Sequence, residues 1–171
     1  PRVRAELRAF RGPRIWLALA TTATFQTAIF AAFSYFAPLL TDVAGVEAGH
    51  VPLVLGLFGV GSLLGIMIGG RFADRNLFGS IYASLTAVTL AMLVLAVVSG
   101  STIGAVAAVG MVGLTGFSIA PALNARVFVV AGDAPTLAAS VNTSAFNVGN
   151  TLGPWLGGSV IAAGWGYVVP V

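Results

Sequence analysis

Gly61-Ser-Leu-Leu-Gly65-Ile-Met-Ile-Gly69-Gly70-Arg71-Phe-Ala-Asp74-Arg75 is the stretch that decides the fold. It closes an apolar run that begins at Val51 and meets no charged side chain before Arg71. A helix rising about 1.5 Å per residue needs about 20 such residues to cross a bilayer core of roughly 30 Å. Gly61, Gly65 and Gly69 recur every fourth residue, on one helix face, a spacing that lets two helices approach closely in lipid. Gly70, Arg71, Asp74 and Arg75 fall where the chain leaves the bilayer. Asp74 is expected to cap the start of the next helix, where the dipole favours an anion. Arg71 and Arg75 can pair with it, or with carbonyls at the end of a neighbouring helix. Such a latch can break and re-form as helices rock.

The rest of the chain has the same character. Of 171 residues, 58% are hydrophobic and 8% charged, with a mean hydropathy of +1.00. Soluble domains carry roughly 25% charged residues, so a water-facing surface and a disordered chain are both excluded. Five apolar segments are predicted as membrane-spanning helices: residues 15–40, 51–70, 77–98, 103–123 and 135–163. Strict alternation over about 10 residues, the mark of β-barrel strands, is absent. The connections, 41–50, 71–76, 99–102 and 124–134, carry Gly, Asp and Ser. Asp133 can cap the fifth span, and Pro135 suits its first turn. Without Cys and with one His, no metal site, cofactor or Cys nucleophile is expected. His50 falls in a connection and is assigned no role.

All eight basic residues are Arg. Five lie in residues 1–14, two in 71–76 and one, Arg126, in 124–134. The alternate connections and residues 164–171 contain none. This split predicts a cytoplasmic N-terminus and an outer C-terminus, with Trp165 and Tyr167 at the outer interface. Residues 1–14 read as a cytoplasmic basic linker and 15–171 as a bundle. The first residue is Pro, and five is an odd number of spans. The expectation is therefore a fragment whose sixth helix is missing.

Gly70-x-x-x-Asp74-Arg75 resembles the cytoplasmic signature of the major facilitator superfamily, although Leu77, Phe78 and Gly79 depart from its basic tail. Ser140-Val-Asn142-Thr-Ser-Ala-Phe146-Asn147-Val-Gly149-Asn150-Thr-Leu-Gly153-Pro154-Trp-Leu-Gly157-Gly158 looks like the eleventh helix of bacterial drug-proton antiporters of that superfamily. It is closest to the branch of chloramphenicol exporters and sugar or nucleoside efflux permeases. The resemblance implies spans seven to eleven of a twelve-helix transporter in the bacterial inner (cell) membrane, lacking its N-terminal half. It implies efflux of a small-molecule substrate, in exchange for protons.

The residues themselves point the same way. Asn142, Asn147 and Asn150 would be costly facing lipid and should face the bundle or a watery cavity. Asn142, Phe146, Gly149, Gly153 and Gly157 share a face by spacing. Gln26, Phe30 and Phe33 form a polar and aromatic face on the first span, the composition of a drug-sized pocket. Substrate contact and interhelical hydrogen bonding are both open for the Asn residues, as are pocket wall and lipid contact for Phe30 and Phe33. Asn142-Thr-Ser matches a glycosylation sequon but lies within a span. Pro121, Gly110, Gly113 and Gly116 suit a fourth span that bends or packs closely. No charged residue is expected inside any span, so a proton-coupling carboxylate would lie in the missing half. A non-transporting membrane subunit or assembly partner explains the Gly spacing equally well, but not the Gly70/Asp74/Arg75 signature. An enzyme is disfavoured because the spans hold no carboxylate, His or Cys.

Overall fold

The computed structural model describes residue 10, residues 12–132 and residues 134–170. Most of the basic opening segment and Asp133, the expected cap of the fifth span, lie outside these. The described chain is all-α, with no strand among the described residues. Its helices are α1 (Pro13–Phe33), α2 (Val51–Arg75), α3 (Leu77–Val98), α4 (Thr102–Ser118), α5 (Ala120–Ala131) and α6 (Pro135–Val160).

These helices make five long helical stretches. Pro13–Val43, Ala48–Arg75, Leu77–Val98 and Thr102–Ala131 are each long and apolar enough to cross a membrane. The fifth, α6, has the length at 26 residues but is diluted by Ser140, Asn142, Thr143, Ser144, Asn147, Asn150 and Thr151. α1 stops before Pro38, which lacks an N–H and whose ring crowds the Ser34 carbonyl four residues back. Tyr35 N–H instead reaches Ala32 O (3.0 Å), tightening the turn. A single turn, Phe36–Pro38, and a wide turn, Leu39–Val43, carry the chain to Gly45, whose φ of 68° suits glycine.

Two boundaries differ from the sequence expectation. The second span runs on through Arg71, Phe72, Ala73, Asp74 and Arg75, so the connection shrinks to Asn76. Arginine near a helix C-terminus complements the dipole, and no Pro or Gly after Gly70 interrupts the helix. The fourth span also continues, through residues expected to form a connection. Leu123, Val127 and Ala131 sit four residues apart and are buried, which gives α5 its own inner face. α4 and α5 meet at Ile119, with Pro121 in the first turn of α5. At the other end Trp165 is exposed, but Tyr167 packs against the cluster around Phe36, Leu39 and Leu95.

Two glycine seams organise the bundle. α2 packs along α4, and α6 packs along α1. A Cβ on Gly61 would strike the Gly110 carbonyl, one on Gly65 that of Leu114, and one on Gly69 that of Ser118. On α6, a Cβ on Gly149 would meet Ala23 O and the Gln26 side chain, on Gly153 Thr27 O, and on Gly157 the Tyr35 ring. Apolar burial drives little association in lipid, so backbone approach at small residues is what holds these pairs. α3 lies against α4, and α5 touches α1, α2, α3 and α6 at the end where Arg14, Arg71 and Arg75 also lie.

Candidate functional site

α6 carries two contrasting faces. Ala138, Asn142, Ala145, Gly149, Gly153 and Gly157 are buried along its inner face. Phe146, expected on this face, is half-buried beside it, because the seam steps from Asn142 to the smaller Ala145. Ser140, Thr143, Ser144, Asn147 and Thr151 are exposed. The four hydroxyls satisfy themselves on carbonyls four residues back, as Ser144 does on Ser140 O (3.1 Å) and Thr151 on Asn147 O (3.0 Å). An amide cannot do this so readily, and Asn147 is the member of the face whose side-chain N–H groups have no partner within the described residues.

Asn147 is instead the end of a line of amides. Gln26 Nε2 on α1 donates to Asn150 Oδ1 (2.8 Å). Asn150 Nδ2 donates in turn to Asn147 Oδ1 (3.4 Å). Gln26 is buried, Asn150 half-buried and Asn147 exposed, so the line runs outward from the α1–α6 seam. Asn147 lines a shallow depression of about 400 Å³ with Ser144, Val148, Thr151 and Leu152. The next turn of the seam is tied by Tyr35, whose hydroxyl donates to Pro154 O (2.8 Å).

Asn142 is placed differently. It is 2% exposed, and its Nδ2 donates to Asn124 Oδ1 on α5 (2.8 Å). Its own Oδ1 is buried without a partner. Asn124 Nδ2 donates to Ala120 O (3.0 Å), so this pair bridges α5 and α6. Two residues on, Arg126 Nη1 donates to Thr21 Oγ1 of α1 (3.2 Å). Arg126 therefore lies on a helix and half-buried, three residues past the expected end of the fourth span, and not in a connection. The Asn124 and Arg126 contacts were hidden because residues 124–134 were assigned to a connection. The apolar four-residue spacing of Leu123, Val127 and Ala131 was the signal that could have placed them.

Phe30 and Phe33 are half-buried and belong to an aromatic chain. Phe33 lies 5.5 Å from Phe30, 5.9 Å from Phe36 and 5.0 Å from Phe58, and Phe58 lies 5.9 Å from Phe117. These separations suit offset and edge-on packing, and they join α1, α2 and α4.

At the Arg-bearing end the cap is Asn76, not Asp74. Asn76 Oδ1 accepts the Gly79 N–H (2.9 Å) at the start of α3. Asp74 is exposed on the last turn of α2 and forms no ion pair with Arg71 or Arg75. The two arginines are exposed as well, and Arg71 reaches the Met67 carbonyl of its own helix (3.5 Å). Gly70 is half-buried, with nothing within 4 Å of where a Cβ would stand. A larger groove, about 650 Å³, lies elsewhere, between α1 and α3. Its walls are Phe25, Ile29, Val88 and Met92, with Thr21, Thr24 and Thr89, and it includes none of the expected site residues.

The described bundle is thus one of long apolar helices joined by glycine seams, with neutral amides half-way along α6. Comparison with known proteins gives its family. The inner membrane transport protein YdhP of Escherichia coli is 37% identical over 172 aligned residues, covering all of this chain and 44% of that protein. The chloramphenicol resistance protein of Streptomyces lividans is 32% identical, again over all of this chain and 44% of the relative. An uncharacterized MFS-type transporter of Bacillus subtilis, YtbD, is 29% identical over 92% of this chain and 41% of its own length. The chain thus spans less than half the length of these relatives. The profile of the Major Facilitator Superfamily matches residues 1–154, and the chain, a multi-pass membrane transporter sequence and not an enzyme, belongs to that superfamily.

Proposed function

We propose that the chain is part of a secondary efflux transporter that exports small amphiphilic molecules across the inner membrane, in exchange for protons. It corresponds to spans seven to eleven, and the other half of the pathway comes from the remainder of a longer polypeptide. The observation that carries this is the exposed amide of Asn147 half-way along α6. It lies twelve residues from Pro135 and thirteen from Val160, about 18 to 20 Å from either end. A polar group exposed at that depth is expensive against lipid and fits a water-accessible site near the membrane midplane.

In this reading Gln26, Asn147 and Asn150 supply polar contacts, and Phe30, Phe33 and Phe146 supply aromatic walls. Asn142, paired with Asn124, ties α5 to α6 instead of contacting the solute. Alternating access rocks this bundle against the other half, with the glycine seams keeping each helix pair rigid. Gly70, Arg71, Asp74 and Arg75 form a latch that engages a group beyond the described residues. The described carboxylates, Asp42, Glu47 and Asp74, all lie near helix ends, so proton coupling rests on a carboxylate elsewhere in the protein.

Transport by the full-length protein in liposomes tests this. Chloramphenicol or thymidine should move against its gradient when a proton gradient is imposed, and should stop when a protonophore collapses it. Failure to move either compound, with protein correctly inserted, would remove the exporter assignment.

A further inference from the structure

We infer that Asn147 is the hydrogen-bond donor of the binding site and selects neutral solutes that present an acceptor oxygen, such as a carbonyl or hydroxyl. This rests on the exporter reading above and specifies its substrate class. The line of amides has one direction. Gln26 donates to Asn150 at 2.8 Å, and Asn150 donates to Asn147 at 3.4 Å. Asn147 therefore has its acceptor oxygen engaged and its two N–H groups left to point outward. Hydrogen bonds in a chain polarise one another, so an amide whose oxygen already accepts is a stronger donor.

The surroundings leave that donor as the distinctive group. The hydroxyls of Ser144 and Thr151, its neighbours in the depression, are directed to carbonyls of their own helix. Val148 and Leu152 complete the walls and give an apolar seat for the rest of the solute. No acidic or basic side chain lies among these five lining residues or on the amide line itself. A cation finds no carboxylate among these residues, and an apolar cation leaves the Asn147 N–H groups unpaired. A neutral molecule with an acceptor oxygen satisfies them. The same requirement explains why an asparagine is tolerable at mid-span: the donor is paired by solute or water, not by lipid.

The test uses the purified full-length protein and three probes: chloramphenicol and thymidine, which carry acceptor oxygens, and tetraphenylphosphonium, which carries none. Asn147→Leu removes the amide at similar size. Asn147→Thr removes the outward donor more gently, because its hydroxyl would turn back to the Thr143 carbonyl as its neighbours do. Both should weaken binding of the two oxygen-bearing probes by about three- to tenfold, the range for one neutral hydrogen bond. Tetraphenylphosphonium binding should stay within about twofold. Asn147→Gln, which keeps a donor, should retain most of the wild-type discrimination. An equal loss for all three probes, or wild-type binding in both Asn147→Leu and Asn147→Thr, would overturn the assignment of Asn147. Wild-type protein that binds none of the three would instead overturn the exporter reading, and this inference with it.

Discussion

Asn142 and Asn147 lie five residues apart on α6, and that spacing places them in opposite circumstances. Asn142 is enclosed between α5 and α6 with one of its two amide ends paired, whereas Asn147 is exposed. Asn142→Ala should therefore act on the amount of folded protein. An interhelical polar contact in a membrane averages about 0.6 kcal/mol, so the loss should be mild and equal for every substrate. Fluorescence-detected size-exclusion of detergent extracts, compared with transport per folded molecule, separates the two effects. A changed substrate profile in Asn142→Ala at normal protein level would move Asn142 into the solute pathway of this conformation. Asp74 poses the converse case. It is exposed and caps nothing, so Asp74→Asn should leave folded yield unchanged. If the latch is real, transport falls all the same, because the partner lies outside these helices. Unchanged transport would reduce Asp74 to a solvated helix end. Both Asp74 and Asn76 have the chemistry of a cap. The choice between them depends on where α2 ends, and a sequence marks helix ends less firmly than helix interiors.

At the scale of elements, the apolar runs were readable because each is long and uninterrupted. Residues 77–98 were expected and observed with the same bounds. The second and fourth spans were cut short before Arg71 and Asn124, where each uninterrupted apolar stretch gives way to charge or amide. An Arg or Asn after an apolar stretch does not stop a helix, and both helices run on past it. The glycine faces were legible from spacing alone, but their partners were not. Nothing in the period of Gly61, Gly65 and Gly69 says that α4, rather than α3, receives them. The structure separates glycines that closeness demands from those it does not. Gly65→Val would drive two methyl groups into the Leu114 carbonyl and force α2 from α4. Overpacking of this kind costs about 1–3 kcal/mol or more, enough to lower folded yield sharply. Gly70→Ala meets open space and should fold normally. If Gly70→Ala then impairs transport, the defect lies in motion or in docking to the other half. Equal yields for Gly65→Val and wild type would mean that the seam is not closed in the membrane.

Across the whole molecule, charge is divided end to end. The described basic residues Arg14, Arg71, Arg75 and Arg126 all sit toward the end where α1 starts and α2 stops. Asp42, Glu47 and His50 lie at the opposite end, where Thr102 Oγ1 donates to Ala44 O (2.6 Å) and joins two connections. Among the described residues the acidic end carries no Arg or Lys, and positively charged segments stay on the cytoplasmic side during insertion. The Arg-bearing end should therefore face the cytoplasm. Cysteine labelling can check this, and the structure selects the positions. Gly45 is unsuitable because its φ of 68° strains any other residue, whereas Gly49 has open space and no such constraint. At the other end Phe78 is exposed in the first turn of α3 and, unlike Asn76, holds no cap. In a cysteine-free version of the full-length protein, Gly49→Cys should react with an impermeant maleimide in intact cells. Phe78→Cys should react only after the membrane is opened. The reverse pattern would invert the bundle and place Asp74 outside. Asn147, about half-way along α6, would keep its depth in either orientation. The assignment of its donor to solute is thus independent of which way the transporter faces, and only the direction of transport depends on it.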